Sequence, residues 1–285
     1  MSTPVTVVDV RAAKRSKGAA PLVMVTAYDT PSARIVDAAG VDILLVGDSV
    51  ANNVLGYEDT ISVTIDDMAH HVAAVARARP RCLVVGDMPW MSYHVSREET
   101  VRNAARLVRA GAQCIKLEGG RARLGAIEAI IGAEIPVMGH LGLTPQSVLA
   151  MGGYRVQAKS ADAAQSLLDA AKALEAAGCF AIVLEGVPDS VARTVTDALD
   201  VPTIGIGAGP HTDGQVLVFH DLLGLGDAKP AKFVRRYADL RSVAAEAIAD
   251  FASDVRSGDY PSDEESYHTT ADLGRAFDPP GDATA

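Results

Sequence analysis

Eight short apolar runs, rich in β-branched residues and none of them alternating with polar ones, constrain this chain more than any other feature. They lie at Leu22–Thr26, Ile43–Val46, Cys82–Val85, Cys114–Leu117, Pro136–Met138, Ala181–Leu184, Pro202–Ile206 and Val216–Phe219. A strand with one wet face alternates polar and apolar residues. A run that is apolar throughout marks a strand covered on both faces, as in a parallel sheet. Between most of the runs lie Ala-rich stretches with helical spacing, clearest at Thr64–Arg77, Ser96–Ala110 and Ala161–Ala177. Thr64 with Asp67, and Ser96 with Glu99, have the spacing of capping boxes. Ala39-Gly40-Val41, Ala110-Gly111-Ala112 and Ala177-Gly178-Cys179 place glycine where a helix closes in the left-handed conformation. Eight strands alternating with helices predict an α/β fold, a single-domain (β/α)8 TIM barrel, over residues 21–258. A segment 1–20 precedes it, and a polar, acidic tail, 259–285, carries Pro261, Pro279 and Pro280.

Length and charge narrow the function. The 285 residues suit one closed barrel, and a hydrophobic content of 48% supplies a large core. No apolar stretch reaches the roughly 18 residues of a membrane span. Residues 1–20 carry Arg11, Lys14, Arg15 and Lys17 but no apolar signal-peptide core, so the expected location is the cytoplasm. With 36 acidic against 26 basic residues and a net charge of −10, the chain is a poor match for nucleic acid or an anionic membrane. Cys82, Cys114 and Cys179 show no paired spacing and read as small buried hydrophobes in a reducing compartment.

In such a barrel chemistry gathers at the C-terminal ends of the strands. Those positions hold Tyr28 and Asp29, Asp48 and Ser49, Asp87, Lys116 and Glu118, His140, Glu185, and the stretch Gly205–Gly209. Asp48, Asp87 and Glu118 form an oxygen-ligand set suited to Mg2+, which takes one or two carboxylates plus substrate oxygens and water. Alternatively, each acid caps the helix that follows it. Zinc suits the set less, since no cysteine ligand is on offer. Lys116 and Glu118, two apart on a strand, share a face. The lysine there suits an anionic substrate carboxylate, a Schiff base, or a structural ion pair with Glu118. Glu185, a partly desolvated strand-end carboxylate before Gly186 and Pro188, suits a general base. His140 suits hydrogen bonding to a carbonyl, a proton shuttle, or a satisfied place in the core. Gly205–Gly209 lacks dinucleotide-fingerprint spacing and reads as close approach of backbone to a ligand. His70 and His71 fall within a helix, away from the strand ends.

Several segments then resemble the ketopantoate hydroxymethyltransferase family. They are Thr26-Ala27-Tyr28-Asp29, Leu45-Val46-Gly47-Asp48-Ser49, Lys116-Leu117-Glu118-Gly119-Gly120, the run Gly139–Ser147, and Gly152-Gly153-Tyr154-Arg155-Val156-Gln157. Leu184-Glu185-Gly186-Val187-Pro188, Gly205–Gly209 and Asp213-Gly214-Gln215 complete the match, which spans nearly the whole chain. The resemblance implies transfer of a one-carbon unit from 5,10-methylenetetrahydrofolate to 3-methyl-2-oxobutanoate, giving 2-dehydropantoate for pantothenate and coenzyme A. It also implies one Mg2+ per subunit and assembly as a homodecamer. By position it makes Asp48 and Asp87 the direct metal ligands and Glu118 an acid acting on the metal through water. It makes Ser49 and Lys116 binders of the oxo acid, His140 a further contact and Glu185 the catalytic base. Two loops depart from the family pattern: Val50-Ala51-Asn52-Asn53, and Ala158-Lys159, where a glycine often stands. Phosphoenolpyruvate mutases and isocitrate lyases share the barrel and the Gly-Asp-Ser loop, but their further acidic loop and the lyase cysteine motif are not found. A catalytically silent scaffold would have lost the strand-end acids, and all are present.

Overall fold

The computed structural model describes residues 3–226 and 229–270. Its strands are β1 (Leu22–Thr26), β2 (Ile43–Val46), β3 (Leu83–Asp87), β4 (Cys114–Glu118), β5 (Val137–Gly142), β6 (Ala181–Glu185), β7 (Thr203–Ile206) and β8 (Gly214–Leu217). They close into one barrel in chain order, every pair parallel, with β8 against β1. The alternating helices include Ile65–Ala76, Arg97–Ala110 and Ala161–Ala176.

Two apolar layers explain why the strand sequences do not alternate. One set of residues (Met24, Ile43, Leu45, Leu83, Val85, Cys114, Met138, Val183 and Ile204) meets inside the barrel. The intervening set, including Leu44, Val46, Val84, Ile115, Leu117, Ile182 and Leu184, packs with the helix residues Met68, Leu107, Ile127, Leu174 and Val195. Both faces are therefore dry along most of the barrel, which favours β-branched and aliphatic residues there, while Val23 on β1 and Gln215 on β8 are exposed.

Three strands differ most from the sequence expectation: β3 runs on two residues to Asp87, which stands on the strand rather than after it. β5 runs on to Gly142, so His140 stands on the strand rather than after it. Gly139 interrupts the apolar run on paper, but Leu174 leaves no room for a side chain there: an added Cβ would come within 2.8 Å of it. β8 starts and ends two residues early, and Phe219 opens the short helix Phe219–Leu223 instead. The Thr64–Asp67 capping box forms reciprocally. At Ser96 the hydroxyl accepts from the Glu99 amide, which is the forward half of that box. Gly40, Gly111 and Gly178 close their helices at φ of 76°, 118° and 102°.

The N-terminal segment is built into the floor of the barrel. Thr6 caps the helix Val7–Ala12, and Val10 is fully buried among Leu22, Ile43 and Leu83 at the strands' N-terminal ends. One compact unit ends at Ala238 and a second begins at Asp239, short of the predicted barrel boundary at 258. The second unit is led by the helix Leu240–Ser257, which leaves Val243, Ile248 and Phe251 exposed. The part of the predicted tail at 271–285 lies outside the described residues. Among the described residues no helix is long and apolar enough to cross a membrane. All three cysteines are free and buried, and burial pushes the Cys82 and Cys179 thiols up to about 12.

Candidate active site

The interior parity that fills the barrel with aliphatic side chains continues to its rim, where the residues change to charged ones. Asp87 follows Leu83 and Val85 on β3, Lys116 and Glu118 follow Cys114 on β4, His140 follows Met138 on β5, and Glu185 follows Val183 on β6. Asp48 and Ser49 sit just beyond β2. A cavity of about 360 Å3 is lined by all seven of these residues. Asp48, Asp87, Lys116, Glu118 and His140 are each at most 5% exposed. The Glu185 side chain is 16% exposed, the most accessible acid of the group.

Gly142 makes the placement of Glu185 possible. At φ +95°, a Cβ there would fall 2.2 Å from the Glu185 carbonyl oxygen, so only glycine lets the two strand ends meet. The Leu143 amide then donates to that oxygen at 2.8 Å. Next to β2, Ala51–Leu55 forms a single π-helical turn, and Asn53 donates to the Ser49 carbonyl at 2.8 Å. The Tyr28 hydroxyl lies 2.8 Å from Ser49 Oγ. His71 Nδ1 is 2.7 Å from the Tyr28 carbonyl oxygen, while His70 is exposed.

Register decides the charge pairing. Asp87 lies opposite Lys116, and Lys116 Nζ meets Asp87 Oδ2 at 2.8 Å. The ion pair considered from sequence, Lys116 with Glu118, gives way to this one because the cross-strand neighbour is closer than the residue two further along. The Asp48 amide also donates to Asp87 Oδ2, at 3.2 Å. Glu118 lies opposite His140, and His140 Nδ1 is 3.4 Å from Glu118 Oε1. On the other side His140 Nε2 is 3.2 Å from Glu185 Oε2. Both are close ion-pair approaches outside hydrogen-bond alignment, leaving Glu118 Oε1 and His140 Nε2 without a hydrogen-bond partner.

Burial raises Asp48 well above the usual carboxylate range, and the neighbouring Asp87 and Glu118 charges add to it. Asp87 is raised by burial too, against the opposing pull of Lys116. At Lys116 burial favours the neutral amine, but Asp87, Glu118 and Asp48 outweigh it and raise the lysine, which stays charged. Burial and Lys116 likewise oppose charge on His140, yet Glu118 and Glu185 push it up to about 9. Glu118 is lowered in spite of burial, through His140, Lys116 and the Gln146 amide.

Among the described residues no three His, Cys, Asp or Glu groups stand together so as to hold a metal by themselves. The expected trio is thus not a preassembled cage, because Glu118 is drawn toward His140 and the Gln146 amide. Two hard-oxygen carboxylates do fit a magnesium ion that completes its shell with water and substrate. Asp87 Oδ1 is buried and has no hydrogen-bond partner, as an oxygen awaiting a cation would be.

Fold and rim together define a (β/α)8 barrel with its site at the C-terminal face. The same fold is found in 2,3-dimethylmalate lyase, a PEP mutase/isocitrate lyase superfamily member, with a TM-score of 0.57 and 19% identity over 94% of this chain and 92% of that one. The sequence pattern of ketopantoate hydroxymethyltransferase matches residues 4–263. The 3-methyl-2-oxobutanoate hydroxymethyltransferase of Koribacter versatilis (strain Ellin345) is 54% identical over 87% of this chain and 84% of its own length. That of Pyrobaculum calidifontis (strain DSM 21063 / JCM 11548 / VA1) is 53% identical over 90% and 97%. The chain belongs to the ketopantoate hydroxymethyltransferase family, and it is an enzyme of hydroxymethyl transfer to 3-methyl-2-oxobutanoate.

Sequence reasoning gave no role to several groups around these residues, although Gln146 and Tyr154 stand inside the segments quoted for the resemblance. Gln146 and Tyr93 are buried beside Asp48 and Glu118, and Thr60 and Tyr154 line the cavity. Gln146 was open to discovery as a polar residue just past β5. Tyr93, in the loop after β3, carried no such signal.

Proposed function

We propose that this enzyme takes its one-carbon unit from 5,10-methylenetetrahydrofolate and yields 2-dehydropantoate, on the way to pantothenate. Asp48 and Asp87 would hold Mg2+, with Glu118 as a further acid beside it. When bound, the ion polarises the 2-oxo group and stabilises enolate charge. Ser49, held by the Tyr28 hydroxyl, and the permanently charged Lys116 bind and orient the oxo acid. Glu185 accepts the C3 proton, with the His140 ring 3.2 Å from its carboxylate as the neighbouring cationic group. The C3 carbon then bonds to the methylene carbon, and water supplies the hydroxyl oxygen as tetrahydrofolate leaves. The family resemblance carries one further part of the reading, a homodecameric assembly.

The observation that supports the chemistry best is the meeting of Glu185 with Asp48, Asp87 and Lys116 around one cavity. Glu185→Gln should retain Mg2+ and oxo-acid binding while slowing C3 exchange in deuterated water by about 10²–10⁴-fold, the usual contribution of a general base. Undiminished exchange assigns the base to another group. Product formation from the oxo acid and methylenetetrahydrofolate should stop on chelation and return with Mg2+.

A further inference from the structure

Gln146 occupies the loop after β5 and is 4% exposed, with both ends of its amide engaged. Nε2 donates to Asp48 Oδ2 at 2.9 Å and to the Met88 carbonyl at 3.0 Å. Oε1 accepts from the Tyr93 hydroxyl at 2.6 Å. The Gln146 backbone amide donates to Glu118 Oε2 at 3.0 Å, and the Tyr93 oxygen accepts from the Glu118 amide at 3.3 Å. A reversed amide would set its oxygen against the Asp48 carboxylate and the Met88 carbonyl, so one orientation alone satisfies the network. The proton on Tyr93 enforces that orientation.

The chemistry of this support differs from that given to Asp87. Lys116 brings a full positive charge to Asp87 Oδ2, whereas the neutral Gln146 amide fixes an Asp48 oxygen and adds no charge of its own. The same residue ties Glu118 through its backbone. We propose that Gln146 is a positioning residue that sets the grip of the Asp48 carboxylate on the magnesium ion, with Tyr93 orienting its amide. This rests on the assignment of Asp48 as a metal ligand in the proposed function.

The test is calorimetric titration of Mg2+ into the full-length enzyme with 3-methyl-2-oxobutanoate and no folate. Gln146→Ala should raise the Mg2+ Kd about 10–100-fold, as loss of a group supporting a metal ligand does. Tyr93→Phe, which keeps the ring, should raise it less. The double variant should bind no more weakly than Gln146→Ala, because Tyr93 acts through the amide it orients. In steady state the loss should fall on the Mg2+ activation constant more than on kcat. Wild-type Mg2+ affinity in the single variants overturns the proposal, as does a fall in kcat with the activation constant unmoved. Additive losses in the double variant overturn the part given to Tyr93. If Gln146→Ala does not fold, Tyr93→Phe decides alone. A wild-type enzyme that fails to bind Mg2+ sinks the metal assignment and this inference together, while normal wild-type binding with unaltered variants sinks the inference only.

Discussion

Each end of the barrel buries a lysine–aspartate pair of nearly the same length. Lys14 meets Asp213 at 2.9 Å on the floor, and Lys116 meets Asp87 at 2.8 Å at the rim. On the floor every polar atom of the pair is engaged. Lys14 Nζ donates to the Thr196 and Val201 carbonyls as well as to Asp213. Asp213 accepts from the Arg15 and Thr203 amides, each at 2.9 Å. At the rim Asp87 Oδ1 is left with no hydrogen-bond partner and the pair opens on the cavity. A buried charge satisfied on all sides holds a fold together, and one left incomplete at a strand end is available to a ligand.

The floor should show the largest effect on stability. Lys14→Met leaves Asp213 buried without its partner charge and should cost about 3–5 kcal/mol in urea denaturation. A loss below about 1 kcal/mol would erase the distinction between the two ends. At the rim, Lys116→Met should cost less stability than Lys14→Met, since Asp87 is already raised toward its neutral form and faces a cavity. Its kcat/KM should fall about 10²-fold or more, the scale of losing one charge-stabilising group. Equal stability losses in the two variants would show that the rim pair is structural as well.

A smaller effect tests the floor by pH. Asp37 Oδ1 accepts from the Arg81 amide at 2.7 Å and the Cys82 amide at 3.2 Å, joining a helix end to the start of β3. Burial opposes these contacts, yet they hold Asp37 below the usual carboxylate value. A depressed carboxylate stabilises the fold above its unfolded pKa, and the contribution is lost as pH falls through the folded pKa. Asp37→Asn should therefore lose about 1 kcal/mol at pH 7, with the gap to wild type closing below about pH 4. A gap constant across that range would remove the carboxylate from the account. The smallest effect belongs to the rim loops. Ala158 is held at φ +55°, where the resemblance places a glycine, so Ala158→Gly should gain about 0.5–1 kcal/mol. A Tm unchanged or lowered would show that the loop relieves the strain elsewhere.

Much of this was readable from the chain because strand burial and helix capping are local. The eight apolar runs fall on the eight strands, with β3, β5 and β8 shifted, and the strand-end positions found seven of the residues that line the cavity. Long-range pairing was not readable. Nothing in the spacing of Lys116 and Glu118 says that the lysine turns to Asp87, because that choice follows from β3–β4 register. Nor does the sequence tell that residues 5–15 close the floor, since Val10 and Lys14 find their partners only once β7 and β8 have returned beside β1.

From its amino acids alone this chain specifies a parallel barrel, dry on both faces of most strands, with acids, a lysine and a histidine gathered at one rim. Those features depend on periodicity and on what stands at a strand end, both properties of neighbouring residues. The tertiary structure decided which oxygens are already engaged and which stay free. That the Asp48 carboxylate is fixed by Gln146, 98 positions along the chain, while Asp87 Oδ1 is left open, depends on distances that exist only after the barrel has closed.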